Sequence, residues 1–367
     1  MKNILASLLL AALSTSSHGD RFDEKLELAK QGDPSAQWFV GISYQYGIGV
    51  PENDETGIMW YTKAAEQGHA GAQHALGVTY DSDGALVPTG DSDAQPDDKA
   101  AMIWYSKAAV QGLAIAQYRL GLMYDSGRAG EEDDKTAVMW YTKAAKQGHV
   151  DAQNELGFKY AYGNGVPEND KTAVMWYTKA AEQGDAWSQK NLGFIYEVGD
   201  GIPKNAKVAV MWYTKAAEQG DVAAQFNLGF MYGEGEGVPE NDKTAVMWYT
   251  KAAEQGDAAA QFSLGFMYGE GEGVPENDKT AVMWYTKAAE QGLDAAQYNL
   301  ALMYARGDGV PQNDIRAYVW SSMAKASGDE MAKGNLEKLK KAMTKEQIAK
   351  AQEIGSKCYE SDYKDCK

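Results

Sequence analysis

The 367-residue chain predicts an all-α fold, an α/α solenoid of stacked helix pairs. Three observations predict it. Trp60, Trp104, Trp140, Trp176, Trp212, Trp248, Trp284 and Trp320 recur at a spacing of 44 once and then 36 six times. Gln37, Gln73, Gln117, Gln153, Gln189, Gln225, Gln261 and Gln297 share that period and the same eight-residue insertion. Hydrophobic residues make up 44% of the chain, enough to fold, yet 367 residues exceed one ordinary core. Residues 207–242 and 243–278 differ only at Val208/Thr244, Val222/Ala258 and Asn227/Ser263, the mark of a duplication.

Residues 1–19 read as a signal peptide: Lys2 is the positive start, Ile4 to Leu13 the apolar stretch, and Ser17-His18-Gly19 the cleavage region. That stretch is too short to span a bilayer, and no cysteine stands near the cleavage region to take a lipid. Residues 20–343 form the solenoid. Its first pair, 21–47, is degraded but keeps Gln37, Gly41 and Tyr44, and Gly47–Pro51 follow.

One full unit explains the helices. At 100° per residue, Ala245, Trp248, Tyr249, Ala252 and Ala253 of Lys243–Gln255 fall within one arc. Gly256 stops that helix and Asp257 caps the next. Ala258–Tyr268 then places Ala260, Leu264, Met267 and Tyr268 on a second stripe, which Gly269–Pro275 ends. Gly265 lies inside the second helix and recurs as Gly77, Gly121, Gly157, Gly193 and Gly229. Glycine there costs about 1 kcal/mol against alanine, so a close helix contact, filled by a Trp or Tyr ring, is expected.

The insertion Asp81–Asp98 reads as a loop. Near the end, Ile315–Met343 keeps Trp320 but loses the tyrosine and glutamine, as a terminal repeat does. Residues 344–367 add a capping helix, begun by Thr344, and a cysteine-containing tail. About nine pairs precede it.

The runs WYTKAAEQGDAAAQ and LGFMYGEGEGVPEND resemble the Sel-one-like repeat (SLR) family, relatives of tetratricopeptide repeats, over residues 22–343. The resemblance implies antiparallel helix pairs in a right-handed superhelix. It also implies adaptor work in signalling, secretion, envelope assembly or host contact.

Composition and motifs narrow the function. A net charge of −17 repels phosphate backbones, so nucleic acid is not expected as a partner, and with no later segment resembling a membrane helix a membrane-embedded state is not expected either. After the leader only His69, His74 and His149 remain, and His69 and His149 read as solvated loop residues. No HExxH, GxSxG or P-loop pattern occurs. Ser322-Met-Ala-Lys325 matches the SxxK signature of penicillin-recognising enzymes. It lacks SDN and KTG companions, and Ser322 sits where other repeats carry a threonine such as Thr286. Asp81, Asp83, Asp91, Asp93, Asp97 and Asp98 are hard oxygen donors without EF-hand order, and read as a solvated loop. No catalytic, cofactor or metal-binding residue is therefore expected. Cys358 and Cys366, in a chain that leaves the cytoplasm, read as a disulfide, with free thiols or an intermolecular link as alternatives.

Comparison among the repeats locates a binding surface. The slot after each glutamine varies: Trp38, His74, Tyr118, Asn154, Lys190, Phe226, Phe262, Tyr298. The next slot varies too, whereas the slot holding Ile42, Val78, Leu122, Phe158, Phe194, Phe230, Phe266 and Leu302 is always apolar and reads as core. A methionine column (Met139, Met175, Met211, Met247, Met283) reads as packing between repeats. Tyr118, Phe226, Phe262 and Tyr298, with Asn191, Asn227 and Asn299, are expected to line one ladder that grips an extended partner. The expected function is an exported, periplasmic or secreted, non-catalytic scaffold binding a protein or peptide. The alternatives are a hydrolase of the β-lactamase or cell-wall type and a glycan- or peptidoglycan-binding module.

Overall fold

The computed structural model describes residues 18–83, 97–128, 130–199, 201–326, 328–364 and 366. Most of the signal-peptide segment and of the acidic insertion lies outside the described residues. Among those described there are nineteen helices and no strand. They are α1 (His18–Lys30), α2 (Pro34–Tyr46), α3 (Asp54–Glu66), α4 (Ala70–Tyr80), α5 (Asp98–Val110), α6 (Ala114–Asp125), α7 (Asp134–Lys146), α8 (Val150–Tyr162) and α9 (Asp170–Glu182). There follow α10 (Ala186–Val198), α11 (Ala206–Glu218), α12 (Val222–Gly233), α13 (Asp242–Glu254), α14 (Ala258–Glu270), α15 (Asp278–Ala289), α16 (Asp294–Arg306), α17 (Asp314–Ala326), α18 (Glu330–Ala342) and α19 (Lys345–Glu360). Odd-numbered helices up to α17 open a repeat, even-numbered ones close it, and α19 follows the ninth pair. The stacked pairs are those of an α-solenoid.

The chain divides into two compact units, Met1–Gln183 and Gly184–Lys367. Within each unit, helices up to α18 pack against their neighbours in sequence, and α19 packs on α17. Asn241 starts α13 by accepting the Thr244 N–H at 3.1 Å, and Asp257 starts α14 by accepting that of Ala260 at 2.7 Å. Between them Gly256 turns the chain at φ 98°, which favours glycine.

The recurrent helix glycine is where one repeat meets the next. A Cβ on Gly265 would stand 2.6 Å from the Tyr285 ring, and one on Gly229 2.7 Å from the Tyr249 ring. Gly77/Tyr105, Gly121/Tyr141, Gly157/Tyr177 and Gly193/Tyr213 repeat the arrangement at 2.4 to 2.6 Å. Of the two rings expected, the tyrosine fills the space. The last pair changes both partners together: Ala301 takes the glycine slot and buried Ser321 the tyrosine slot.

Buried glutamines join repeats a second way. Gln261 donates its Nε2 to the Ala253 carbonyl at 3.1 Å, and its Oε1 accepts from Gln291 Nε2 at 2.8 Å. In the C-terminal cap, Thr344 and Gln347 form a capping box, and Cys358 is bonded to Cys366. The loop so closed brings Tyr363 against the α15–α16 turn, where a Cβ on Gly292 would lie 3.0 Å from the ring.

Gly265→Ala is expected to destabilise the chain by about 1–3 kcal/mol through overpacking. Tyr285→Ser alone is also expected to destabilise it. The double variant, which copies Ala301/Ser321, is expected to lose less than the sum, and denaturant titration of the four proteins measures that coupling.

Candidate partner-binding surface

The seven residues expected to form the ladder are all half-buried, and three of them, Tyr118, Phe226 and Phe262, touch a ring of the next repeat. Phe226 rests on Tyr249 with ring centroids 5.6 Å apart, and Phe262 on Tyr285 at 5.7 Å. In the first unit, Tyr118 meets Tyr141 at 5.9 Å and stacks on His149 at 4.7 Å. Asn227 hydrogen-bonds the Tyr213 hydroxyl, and Asn299 that of Tyr285. Asn191 and Tyr298 occupy the equivalent half-buried slots of α10 and α16. Tyr118 belongs to the first unit and the other six to the second. These rings are thus partly open to solvent, and Tyr118, Phe226 and Phe262 pack against a neighbouring aromatic ring.

The tyrosines beneath are held by burial. Burial pushes Tyr249 and Tyr285 up to about 12, with hydrogen bonds from Ser263 and Asn299 acting the other way. Tyr213 is pushed further, because Glu197 accepts from its hydroxyl at 2.6 Å.

Two columns depart from expectation. The slot read as core is open in the second unit: Phe194, Phe230 and Phe266 are 53%, 41% and 43% exposed. Only Ile42 in that column is buried. The reason is angular. α14 turns Ala260, Leu264 and Met267 inward, and Phe266 falls on the other side of the helix. The methionine column, read as inter-repeat packing, is open as well, with Met211, Met247 and Met283 at 43%, 45% and 43%.

The remaining polar candidates have structural partners. His69 and His149 are N-caps rather than solvated loop residues: their Nδ1 atoms accept from Ala72 and Ala152 N–H groups at 3.2 and 3.4 Å. Asp81 is buried, accepts from the Tyr105 hydroxyl at 3.0 Å and pairs with Arg128 at 2.5 Å, so it is not solvated loop. Asp91 and Asp93 lie outside the described residues. The Ser322 hydroxyl donates to the Tyr318 carbonyl at 2.8 Å. Among the described residues no group of three His, Cys, Asp or Glu side chains could hold a metal ion. No helix among them is long and apolar enough to cross a membrane.

Stacked helix pairs that present repeated apolar side chains define a repeat scaffold. The model of the Sel1 repeat matches residues 34–69, 70–113, 114–149, 150–185, 188–221, 222–257, 258–293 and 294–329, and the chain belongs to that family. A Sel1 repeat protein from Oxalobacter formigenes is similar at 33% identity and a TM-score of 0.65, over 86% of this chain and 89% of that one. The protein c5321, a protective antigen of uropathogenic Escherichia coli strains displaying an SLR fold, is similar at 27% identity and a TM-score of 0.56. That match covers 93% of this chain and 95% of the other. No curated protein matches the chain.

Phe226→Ala, Phe262→Ala and Tyr298→Ala together are expected to lower the unfolding midpoint, the Phe226 and Phe262 ring contacts each contributing about 1 kcal/mol beyond buried area. Phe230→Ser with Phe266→Ser is expected to shift stability by less than about 0.5 kcal/mol, and calorimetry compares the two sets.

Burial, with Arg119 nearby, lowers His74 to about 4, and burial also lowers His69 and His149. A histidine kept neutral by folding takes its proton only on unfolding. The stability it contributes is present above its ordinary value of 6.5 and is lost as pH falls toward 4. The thermal midpoint is expected to fall from about pH 7 to about pH 4.5, and His74→Asn to flatten that slope in melts across the range.

Proposed function

We propose that the chain is an exported scaffold, without catalysis of its own, that holds another protein or an extended peptide in the cell envelope or outside the cell. Sel1 repeat proteins generally act as protein-interaction scaffolds. The observation that carries the reading here is the exposed phenylalanine column of α10, α12 and α14, with half-buried Phe226 and Phe262 one turn earlier on α12 and α14. Large apolar side chains repeated on a surface mark a docking site rather than chance exposure. Half-buried Tyr118 and Tyr298, with Asn191, Asn227 and Asn299, extend the contact in their own units. Aromatic side chains suit either a peptide or a glycan strand, and peptide is favoured because two of the three asparagines, Asn227 and Asn299, are engaged with tyrosine hydroxyls and offer less to sugar hydroxyls.

Export rests on Lys2 with the apolar run Ile4 to Leu13, and on the Cys358–Cys366 bond, which suits an oxidising compartment.

A photoreactive phenylalanine analogue at position 266, in the intact envelope, is expected to crosslink one protein partner, and native exported chain to carry no alkylatable thiol. Capture only by purified peptidoglycan establishes the glycan reading instead. A chromogenic β-lactam is expected to stay intact, and turnover abolished by Ser322→Ala establishes a hydrolase.

A further inference from the structure

The first helices of the second unit share a pattern on their open face. Lys207–Met211–Lys215 in α11, Lys243–Met247–Lys251 in α13 and Lys279–Met283–Lys287 in α15 are spaced four residues apart, so each set lies along one stripe. Each methionine is more than 40% exposed and every lysine is exposed. The second lysine of each stripe is held over its own tryptophan, 4.4, 4.1 and 4.3 Å from the ring centroids of Trp212, Trp248 and Trp284. Trp248 packs in the core cluster of α11 and α12, and Trp284 in that of α13 and α14, so the three stripes stand on adjoining first helices. In a chain of net charge −17 they form an apolar line with basic flanks.

The fourth first helix of the unit shows what covers such a face. In α17 the same three slots hold Ile315, Val319 and Met323, and the last two are 0% and 5% exposed. Among the described residues α19 is seated on α17, and no helix is packed in the same way on α11, α13 or α15. α19 is an amphipathic helix whose buried residues are Ala351, Gly355 and Cys358. A Cβ on Gly355 would stand 3.7 Å from the Met323 methyl, so the small residues let the two helices close together. Where the helix belongs to the chain, both lysines have become apolar. Where no such helix is supplied, the lysines remain and present the charge that an incoming helix must match.

We propose that the open face of α11, α13 and α15 docks an amphipathic α-helix of a partner protein, seated as α19 is seated on α17. Small apolar residues of that helix lie on the methionines, and its flanking Asp or Glu side chains pair with the lysines. This rests on the scaffold reading and adds both the face and the kind of partner segment.

The probe is a fluorescent peptide of residues 345–360 carrying Lys350→Glu, Lys357→Glu and Cys358→Ala, titrated with the full chain. Saturable binding with Kd below about 100 µM is expected. The affinity is expected to fall at least about tenfold in Met211→Glu/Met247→Glu/Met283→Glu, whose exposed sites leave the helices intact by circular dichroism, and to fall again in about 0.5 M salt. The same peptide with two central prolines, unable to form the helix, is expected to bind at least about tenfold more weakly. Equal affinity for the triple variant, equal binding of the proline peptide, or no saturation below about 1 mM overturns the proposal. In the envelope, a partner that crosslinks at position 266 and not at 247 removes this face and leaves the scaffold standing. Crosslinking at neither position removes the scaffold itself.

Discussion

Within each unit, a tyrosine ring laid on a glycine carries the step from one repeat to the next. The absent side chain brings the second helix of one repeat to ring-contact distance of the first helix of the next. Glycine weakens its own helix by about 1 kcal/mol, and burial of a whole aromatic ring offsets that loss. The ring leaves a hydroxyl in a place water barely reaches, and it needs a partner. Gln45 serves Tyr61, Asp81 serves Tyr105, Asp125 serves Tyr141 and Glu197 serves Tyr213. Tyr285 has Asn299 instead. The apolar half of the contact stays constant while its polar tip is rebuilt repeat by repeat, so the surroundings can diverge without disturbing the stack.

The glutamines impose direction. Up to Gln261, each accepts on its buried Oε1 an N–H from a glutamine thirty or more residues later: Gln67 to Gln37 and Gln147 to Gln117 in the first unit, Gln255 to Gln225 in the second. A repeat therefore presents an acceptor that only its successor fills. An unfilled buried acceptor costs about 1–3 kcal/mol, so the chain gains by continuing and an abrupt end is penalised. Gln297 Oε1 is buried and has no partner among the described residues, at the point where the glutamine series stops. There the architecture changes: Ala301 and Ser321 replace the glycine and tyrosine, and α19 with its disulfide-closed loop encloses the end. Cohesion passes from repeated contacts to a local apolar cluster around Val319, Met323, Ala351 and Cys358.

The helices, their caps and the close glycine contact were legible because each follows from local chemistry: angular spacing, a side chain that accepts the first N–H groups, a missing Cβ. Exposure was misread where constancy stood in for angle. At 100° per residue Met247 lies about 200° from Ala245, and Phe266 about 240° from Ala260, so the wheel itself sets both on open sides. Their sameness from repeat to repeat reflects copying of units as much as packing. The converse inference fails too. Lys159 takes the slot filled elsewhere by Met123, Met231 and Met267, yet it is 5% exposed and paired with Asp125 and Asp134. A varying slot can therefore be interior, provided neighbouring helices bring opposite charge. Such partners come from other turns of the stack and leave no mark at position 159.

Repetition has a further consequence for binding. Residues 207–242 and 243–278 are almost identical, so the second unit presents the same exposed side chains at least twice: Met211 and Met247 on first helices, Phe230 and Phe266 on second helices. A single exposed methionine or phenylalanine contributes about 1 kcal/mol to a contact, too little to hold a partner. Glycine–tyrosine and glutamine contacts fix neighbouring copies before the partner arrives, so little ordering entropy is lost on binding. Once one copy is engaged, the next acts at high effective concentration, and affinity grows with the number of copies rather than with the strength of any one. The rigid interior and the apolar exterior thus have one origin: the duplication that multiplies the stacking contacts multiplies the docking side chains with them.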